Sequence, residues 1–246
     1  MDPQYANPWV DVRCRAFDVQ PNRLPTLLQE QYGQLAEDLV LDALLKTWFH
    51  RRGLPAAAVR YAEVGANHPV QTSNTYLFHR KWGGQGVLVE ANDRLIEPLR
   101  KVRATDEVLH RAVVPPGYPA TVAINIASNA ELSSIDANHV RSFGAIGGIE
   151  RVLEVPTITL DEVLGRFGGG LHLLSIDVEG LDVELLASAR FEVRPLLVVC
   201  EPSRHFHKDA ESRFAAALRP KGYFELARTD YNLIYADVFA WMNAVL

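Results

Sequence analysis

The segment LHLLSIDVEGLDVELLASARF, residues 171–191, decides the fold of this chain. A run of apolar residues ends at Asp177, Glu179 follows two positions later, and leucines then recur with the spacing of one helix face. The pattern predicts a buried parallel strand, a tight turn at Gly180 and a covering helix. Ligands bind at the carboxyl ends of the strands in open α/β sheets, so the two carboxylates indicate a functional site.

Apolar strands and amphipathic helices alternate around this segment from residue 57 onward. Continuous apolar strands separated by helices indicate a mainly parallel sheet with helices on both faces. Two extra strands, TVAINIA and VPTITL, are predicted at residues 121–127 and 155–160, with a loop rich in Ser, Asn and Gly between them. The other predicted strands are residues 59–64, 86–90, 108–113, 173–177, 196–201, 223–227 and 233–236, and the predicted helices are residues 75–81, 95–101, 183–189 and 210–218.

The first 56 residues have a different pattern. Prolines predict an irregular arm over about the first 24 residues, and apolar residues at helical spacing predict a helix over residues 26–52, with a break expected near Gly33. We therefore divide the chain into residues 1–56, an arm and a helix, and residues 57–246, one compact domain. Trp48 and Phe49 on this helix offer a face for a homodimer.

Composition narrows the class of protein. The 246 residues include 25 basic and 30 acidic side chains, and the formal net charge of −5 argues against a nucleic-acid partner. Hydrophobic residues at 48% and charged residues at 22% are typical of a globular domain. The N-terminal residues lack a secretory signal pattern, and no apolar run reaches the roughly 18 residues of a membrane span. We therefore expect a cytoplasmic protein with no membrane partner.

The first strand and turn, YAEVGANHP, predict what kind of ligand binds. Glu63 ends the strand and Gly65 permits a tight turn, but Asn67 and His68 stand where a dinucleotide-binding turn has glycines. A pyrophosphate needs close approach to the backbone, so this turn argues against NAD. Glu90 ends the second strand, where a carboxylate is suited to bind the two hydroxyls of a ribose. Together these residues indicate an adenosyl ligand without a pyrophosphate, such as S-adenosylmethionine.

Several motifs in a fixed order resemble the FkbM family of S-adenosylmethionine-dependent methyltransferases. The resemblance extends over about residues 31–235, with Glu63 where many members have Asp, and with an unusual His68-Pro69 pair. It implies a Rossmann-like class I methyltransferase fold, with a mainly parallel seven-stranded sheet, helices on both faces and an N-terminal helical appendage. It also implies methylation of a hydroxyl oxygen on a sugar or natural product, such as a polyketide or glycoside. The motifs are QYGQLAEDLVL, YAEVGANHP, SNTY, GVLVEAND, VPTITLDEVL and LLSIDVEGLDVELL.

The resemblance also implies where the cofactor binds. The glycine turn would surround the methionine moiety and ribose, Arg111 and Ala112 would lie near the adenine, and Asp177 would face the methyl-transfer centre. Gln34 and Asp38 would close over the cofactor, which gives the N-terminal helix the role of a lid. The full cofactor-binding set is Glu63, Gly65, Asn67, Asn74, Glu90, Arg111, Ala112, Asp177, Gln34 and Asp38.

A hydroxylated small-molecule acceptor must lose a proton, so a general base is expected in the site. The candidates are Asp177, His68, Glu201 and His205. Asp177, Glu201 and His205 also offer ligands for a divalent ion, magnesium or manganese, although the spacing of a metal motif is missing and a solvated histidine loop explains the same residues. For His68 the alternative is a hydrogen bond within the turn, and Glu179 is as suited to cap the following helix or hold the turn.

Two other functions remain open on the sequence alone. One is an NAD-dependent oxidoreductase on a similar sheet, against which the missing glycines argue. The other is a non-catalytic α/β binding module. Carboxylates at three strand ends argue against that module, because burying them without a ligand is costly.

Overall fold

The computed structural model describes residues 31–55, 59–144, 148–202 and 209–242. Strands and helices alternate through most of these residues, as predicted. The strands are β1 Arg60–Val64, β2 Gln85–Glu90, β3 Glu107–His110, β4 Ala112–Val113, β5 Thr121–Ala127, β6 Ile149–Ile158, β7 Leu173–Ile176, β8 Leu197–Cys200, β9 Tyr223–Arg228 and β10 Leu233–Asp237. The helices are α1 Glu37–Arg51, α2 Tyr76–Trp82, α3 Asp93–Val102, α4 Ala137–Ser142, α5 Leu160–Gly165, α6 Asp182–Ser188, α7 Ala210–Leu218 and α8 Val238–Met242.

The central sheet has seven strands in the order β3-β2-β1-β7-β8-β10-β9. Neighbouring strands from β3 to β8 are parallel, whereas β10 runs antiparallel to both β8 and β9. This is the mainly parallel, Rossmann-like sheet that the sequence predicts. Because the order reverses beside β1, a crevice opens between the carboxyl ends of β1 and β7, where open α/β sheets bind ligands.

Helices cover both faces of the sheet, which explains the continuous apolar strands. β7 and β8 are buried at each of their four positions. On one face, Leu174 and Val198 pack with Leu164, Leu185 and Phe214 of α5, α6 and α7. A strand that is buried on both faces needs apolar residues at every position rather than an alternating pattern.

The opposite face of the sheet is covered by α1, α2 and α3. Leu41, Leu45, Trp48 and Phe49 of α1 lie in the same apolar core as Leu173 of β7. Trp48 is only 9% exposed and Phe49 only 4% exposed. The two aromatic side chains therefore pack within the chain rather than forming an exposed face, and the homodimer itself stays a prediction.

The helix α1 is shorter than predicted, because the chain is irregular from residue 31 to residue 36. Ala36 adopts a left-handed conformation, with φ of 64°, immediately before the helix begins at Glu37. The break expected near Gly33 is present in this stretch. The first 30 residues, which include the predicted arm, lie outside the described residues.

A second sheet, in the order β4-β6-β5, is inserted between β3 and α5. The strand predicted at residues 108–113 is divided, because β4 leaves the central sheet and pairs with β6. The strand predicted at residues 155–160 begins earlier and ends at Ile158, because Thr159 forms a capping box with Glu162 and so starts α5. In the described part of the chain, no helix has the length and apolarity needed to cross a membrane.

A buried arginine connects the elements around the first turn. Arg103, at the end of α3, is fully buried, and its Nε donates to Asp106 at 2.8 Å. Its guanidinium also donates to the hydroxyl of Thr75 at 2.8 Å and lies 3.7 Å from a carboxylate oxygen of Glu63. Asp106 in turn accepts hydrogen bonds from the hydroxyl of Tyr61. The network therefore joins β1, the start of α2 and the end of α3.

We predict that Arg103→Met destabilises the protein by about 3–5 kcal/mol, because it leaves buried carboxylates unpaired. Arg100→Met is the matched control on the same helix, since Arg100 makes only an exposed ion pair with Glu97, of which about 0–1 kcal/mol is expected. Urea unfolding of both variants and the wild type measures the difference. A wild-type unfolding midpoint for Arg103→Met would contradict the assigned role.

Candidate functional site

A cavity of about 880 Å³ lies at the carboxyl ends of β1, β2 and β7, beside the point where the strand order reverses. Most of the residues that the sequence singles out are brought together there. The predicted residues that line the cavity are Gln34, Glu63, Gly65, Asn67, Asn74, Glu90, Arg111, Ala112, Asp177 and Glu201.

Gly65 forms the floor of the crevice between β1 and β7. Its φ is 78°, and a Cβ atom added there would lie 1.7 Å from the carbonyl oxygen of Asp177. Any side chain would therefore clash with the end of β7. The backbone N–H groups of Gly65 and Ala66 both donate to the carbonyl oxygen of Val89, at 2.9 and 3.1 Å. The turn is thus held against β2 while its glycine contacts β7.

Glu63 anchors the turn that follows Gly65. Its carboxylate accepts hydrogen bonds from the hydroxyl groups of Ser73 and Thr75 and from the backbone N–H of Asn74. Burial raises the pKa of Glu63, and the nearby Arg103 guanidinium opposes this rise. The sequence analysis assigns Glu63 to ligand binding, but its carboxylate oxygens mainly accept hydrogen bonds from the protein itself.

Asn74 links this turn to the neighbouring strand. Its side-chain amide donates to the hydroxyl of Ser175 on β7 at 3.0 Å. Both residues line the cavity. The contact fixes the start of α2 against β7 and so sets the width of the crevice.

Glu90, at the end of β2, is 8% exposed and holds two backbone segments. One carboxylate oxygen accepts from the N–H of Asn67 at 2.8 Å, and the other accepts from the N–H of Asn92 at 2.7 Å. Burial raises the pKa of Glu90, and these backbone donors oppose the rise. Each oxygen of a carboxylate can accept more than one hydrogen bond, so Glu90 retains capacity for a ligand.

Asp177 follows β7 and lines the cavity, and its side chain is accessible from there. Among the described residues, no hydrogen-bond donor contacts its carboxylate. The group nevertheless lies deep among protein atoms, and restricted solvation, followed by the negative charges of Glu179 and Glu201, raises its pKa well above 3.8. A carboxylate that is both accessible and hard to ionise is typical of a catalytic group.

Arg111 and Ala112 lie where the chain passes from β3 to β4. The backbone N–H of Arg111 donates to the carbonyl oxygen of Glu90 at 3.1 Å, which brings this junction to the edge of the cavity. Ala112 and Val113 are buried and form an apolar wall beside Glu90. A flat aromatic ring would fit against such a wall.

Glu179 has a different environment from the one that the sequence favours. The role of holding the turn belongs to Asp182, whose carboxylate accepts from the N–H groups of Val178 and Gly180. Glu179 has a left-handed φ of 52° and directs its carboxylate to His139 of α4, at 2.9 Å. Both alternatives for Glu179, as a helix cap or a turn holder, are therefore wrong.

His68 does not line the cavity, and its predicted role as a general base is not supported. Its Nδ1 accepts hydrogen bonds from the N–H groups of Val70 and Gln71, at 3.1 and 2.8 Å. The ring therefore stabilises its own turn, which was the alternative interpretation.

Asp38 also lies off the cavity lining. It is fully buried, and its Oδ2 accepts from the N–H of Tyr32 at 2.7 Å. Burial raises its pKa to about 6. Asp38 thus holds the backbone of residues 32–34 through Tyr32, and it does not reach the cavity itself.

The metal hypothesis finds no support in the described residues. In residues 31–55, 59–144, 148–202 and 209–242, no group of three or more His, Cys, Asp or Glu side chains has the arrangement of a metal site. Asp177 and Glu201 do share the cavity. His205 lies outside the described residues, so its predicted place in the site stays a prediction.

One part of the cavity wall is absent from the sequence prediction: the loop between β9 and β10, which contributes Asp230, Tyr231 and Asn232. The insertion also contributes Ser134 and neighbouring residues, which belong to the predicted loop rich in Ser, Asn and Gly. The antiparallel pairing of β9 and β10 turns their connecting loop toward the carboxyl edge of the sheet. A hairpin assignment for these two strands would have been the signal for this loop.

Comparison with known proteins agrees with this arrangement. A sequence profile described as the Methyltransferase FkbM domain matches residues 63–225, more than half of the chain. No curated protein sequence matches the chain.

The solved structures that are similar to this chain include two methyltransferases. The precorrin-6y C5,15-methyltransferase from Geobacter metallireducens GS-15 has a TM-score of 0.41 and 11% identity, over 79% of this chain and 86% of that one. A methyltransferase from Pyrococcus furiosus has a TM-score of 0.33 and 12% identity, over 80% of this chain and 82% of that one. Because the domain profile matches residues 63–225, this chain belongs to the FkbM methyltransferase family.

Proposed function

We propose that this protein is an S-adenosylmethionine-dependent O-methyltransferase that acts on a hydroxyl group of a small sugar or natural product, such as a polyketide or glycoside. Membership of the family supports methyl transfer. The observation that carries the cofactor assignment is the pairing of Glu90 with the Gly65 turn across one cavity. A ribose-binding carboxylate beside a turn without further glycines suits an adenosyl group that has no pyrophosphate.

The residues of the cavity suggest how such a cofactor would be held. Glu90 would accept hydrogen bonds from the ribose hydroxyls, and Ala112 and Val113 would contact the adenine. The backbone N–H of Asn67 donates to Glu90, which fixes Asn67 in place. Asn67 would lie beside the ribose and the methionine moiety. When bound, the cofactor supplies a methyl group that is already activated by a positively charged sulfur.

Asp177 is the residue that we assign to the acceptor proton. Its carboxylate is accessible from the cavity and has no hydrogen-bond donor among the described residues. A general base works best when its pKa lies near the working pH, and the surroundings of Asp177 move its pKa in that direction. As the acceptor oxygen bonds to the methyl carbon and the carbon–sulfur bond breaks, Asp177 would take the hydroxyl proton. Glu201, which also lines the cavity, would orient the acceptor.

The other two functions of the sequence analysis are not favoured. An NAD-dependent oxidoreductase would place a pyrophosphate against the turn that Asn67 and His68 occupy. In a non-catalytic module, the raised pKa of Asp177 would serve no reaction, whereas such shifts are typical of catalytic groups. Titration calorimetry of the full chain with S-adenosylhomocysteine and with NAD separates the three functions, because we expect binding of the first ligand only.

We predict that Glu90→Gln weakens S-adenosylhomocysteine binding at least about tenfold, since a hydrogen bond to a charged group contributes about 1.5–3 kcal/mol. Asp93→Asn is the matched control, because Asp93 lies three residues along the chain and pairs with Arg151 outside the cavity. Calorimetry gives both affinities, and thermal melting checks that each variant is folded. Equal affinity of Glu90→Gln and the wild type would contradict the ribose assignment.

We predict that Asp177→Asn raises the melting temperature at pH 8. The folded protein holds the pKa of Asp177 above the unfolded value of 3.8, so ionising the carboxyl costs the native state more than the unfolded chain. The gain in the variant should therefore be absent below about pH 3.8, grow as the pH rises from there to the folded pKa, and stay constant above it.

Asp93→Asn gives the opposite sign in the same experiment. Arg151 lowers the pKa of Asp93, so its ionised form stabilises the native state above the unfolded pKa. Its removal should lower the melting temperature at pH 8. Melting curves across the pH range test both variants, and a lower melting temperature for Asp177→Asn at pH 8 would show that its carboxylate has a structural partner.

A further inference from the structure

Two short segments, in addition to the insertion, contribute to the wall of the cavity. The first, residues 31–36, is called the cover segment, and it contributes Gln34 and Leu35 to the lining. The second, residues 229–232, is called the hairpin loop, and it contributes Asp230, Tyr231 and Asn232. The two segments are almost 200 positions apart in the chain, so a specific contact is needed to hold them together.

Glu37, the first residue of α1, makes this contact. One carboxylate oxygen accepts from the hydroxyl of Thr229 at 2.7 Å, and the other accepts from the backbone N–H of Leu35 at 2.7 Å. Glu37 is fully buried and Thr229 is 9% exposed. A single carboxylate thus holds one wall of the cavity with each of its oxygens.

Thr229 fixes the hairpin loop on its own side of the contact. Its hydroxyl donates to Glu37 and accepts from the backbone N–H of Asn232 at 3.0 Å. The N–H of Thr229 donates to the carbonyl oxygen of Asn232 at 2.9 Å. The hydroxyl therefore sets the shape of the loop and joins it to the cover segment at the same time.

The cover segment is also attached at its other end. The N–H of Tyr32 donates to Asp38, and the ring of Tyr32 packs edge-on against Tyr76 of α2, with 4.7 Å between the ring centroids. The segment is therefore attached near α2 at one end and to the hairpin loop at the other. Gln34 and Leu35 lie between these attachments and face the cavity.

The stability of α1 does not require Glu37 to be buried. An acidic residue in the first turn of a helix interacts favourably with the helix dipole even when it is exposed to solvent. A buried carboxylate loses its hydration, which is costly unless specific donors replace the water. Here both donors belong to segments that line the cavity, which connects the burial of Glu37 to the cavity.

We propose that Glu37 is a positioning residue for the bound cofactor, and that its hydrogen bond to Thr229 is a latch that keeps the cover segment and the hairpin loop closed over the cavity. The proposal rests on the proposed function, because it takes the ligand beneath the two segments to be S-adenosylmethionine. Loss of the latch breaks the link between the two walls, since both contact the same carboxylate.

The test compares Thr229→Val, which removes the hydroxyl and keeps the shape, with Thr229→Ser, which keeps the hydroxyl. We expect Thr229→Val to release S-adenosylhomocysteine about tenfold faster than the wild type, and Thr229→Ser to stay within about twofold. Thr47→Val is the matched control, because its exposed hydroxyl donates to a carbonyl of α1, away from the cavity. Stopped-flow displacement of S-adenosylhomocysteine from the full chain gives the rates.

Hydrogen exchange of the ligand-free protein provides a second measurement. The amide of Leu35, which donates to Glu37, should exchange faster in Thr229→Val than in Thr229→Ser. Equal release rates and equal exchange in the two variants would overturn the proposal. Faster ligand release and faster amide exchange in Thr229→Val alone would support it. Failure of the wild type to bind S-adenosylhomocysteine would instead contradict the proposed function, and the exchange comparison would still decide whether the latch exists.

Discussion

The cavity depends on one buried charge, the guanidinium of Arg103. A buried cation is tolerated only when charged and polar partners surround it, and Asp106, Glu63 and Thr75 supply them. These partners come from the loop after α3, the end of β1 and the start of α2. Satisfying one charge therefore fixes three elements relative to one another, and two of them, the end of β1 and the segment that starts α2, contribute to the cavity wall.

This arrangement divides the acidic strand ends into three roles. Glu63 gives its oxygens to the turn and to Arg103, so it acts as an anchor. Glu90 holds two backbone N–H groups and keeps capacity for a ligand. Asp177 has no hydrogen-bond donor within the described residues and lies among other carboxylates. Moving from β2 across β1 to β7, the carboxylates thus change from the one that we propose for ligand binding, through a structural anchor, to the one that we propose for the acceptor proton.

The sequence predicts the parts of the site that depend on local order along the chain. Each predicted strand end carries its carboxylate to the same edge, because parallel strands share a direction. Arg103 could not be recognised in this way, since a basic residue at the end of a helix is ordinary on the sequence alone. His139 and Thr229 lie 40 and 192 positions from the glutamates that they contact, and only the folded chain brings them together. At His68 the structure favours the alternative interpretation, because backbone donors two and three residues away compete with any ligand for Nδ1 of its ring.

The charges around Asp177 link its ionisation to the ligand. Restricted solvation raises the pKa of Asp177, and the negative charges of Glu179 and Glu201 raise it further. A ligand with a positively charged sulfur would offset that repulsion and make ionisation of Asp177 easier. By linkage, the ionised carboxylate would in turn favour the charged cofactor over its uncharged product. The proton acceptor would therefore be in its ionised form when the methyl donor is bound, and it would already carry the acceptor's proton when the uncharged product leaves.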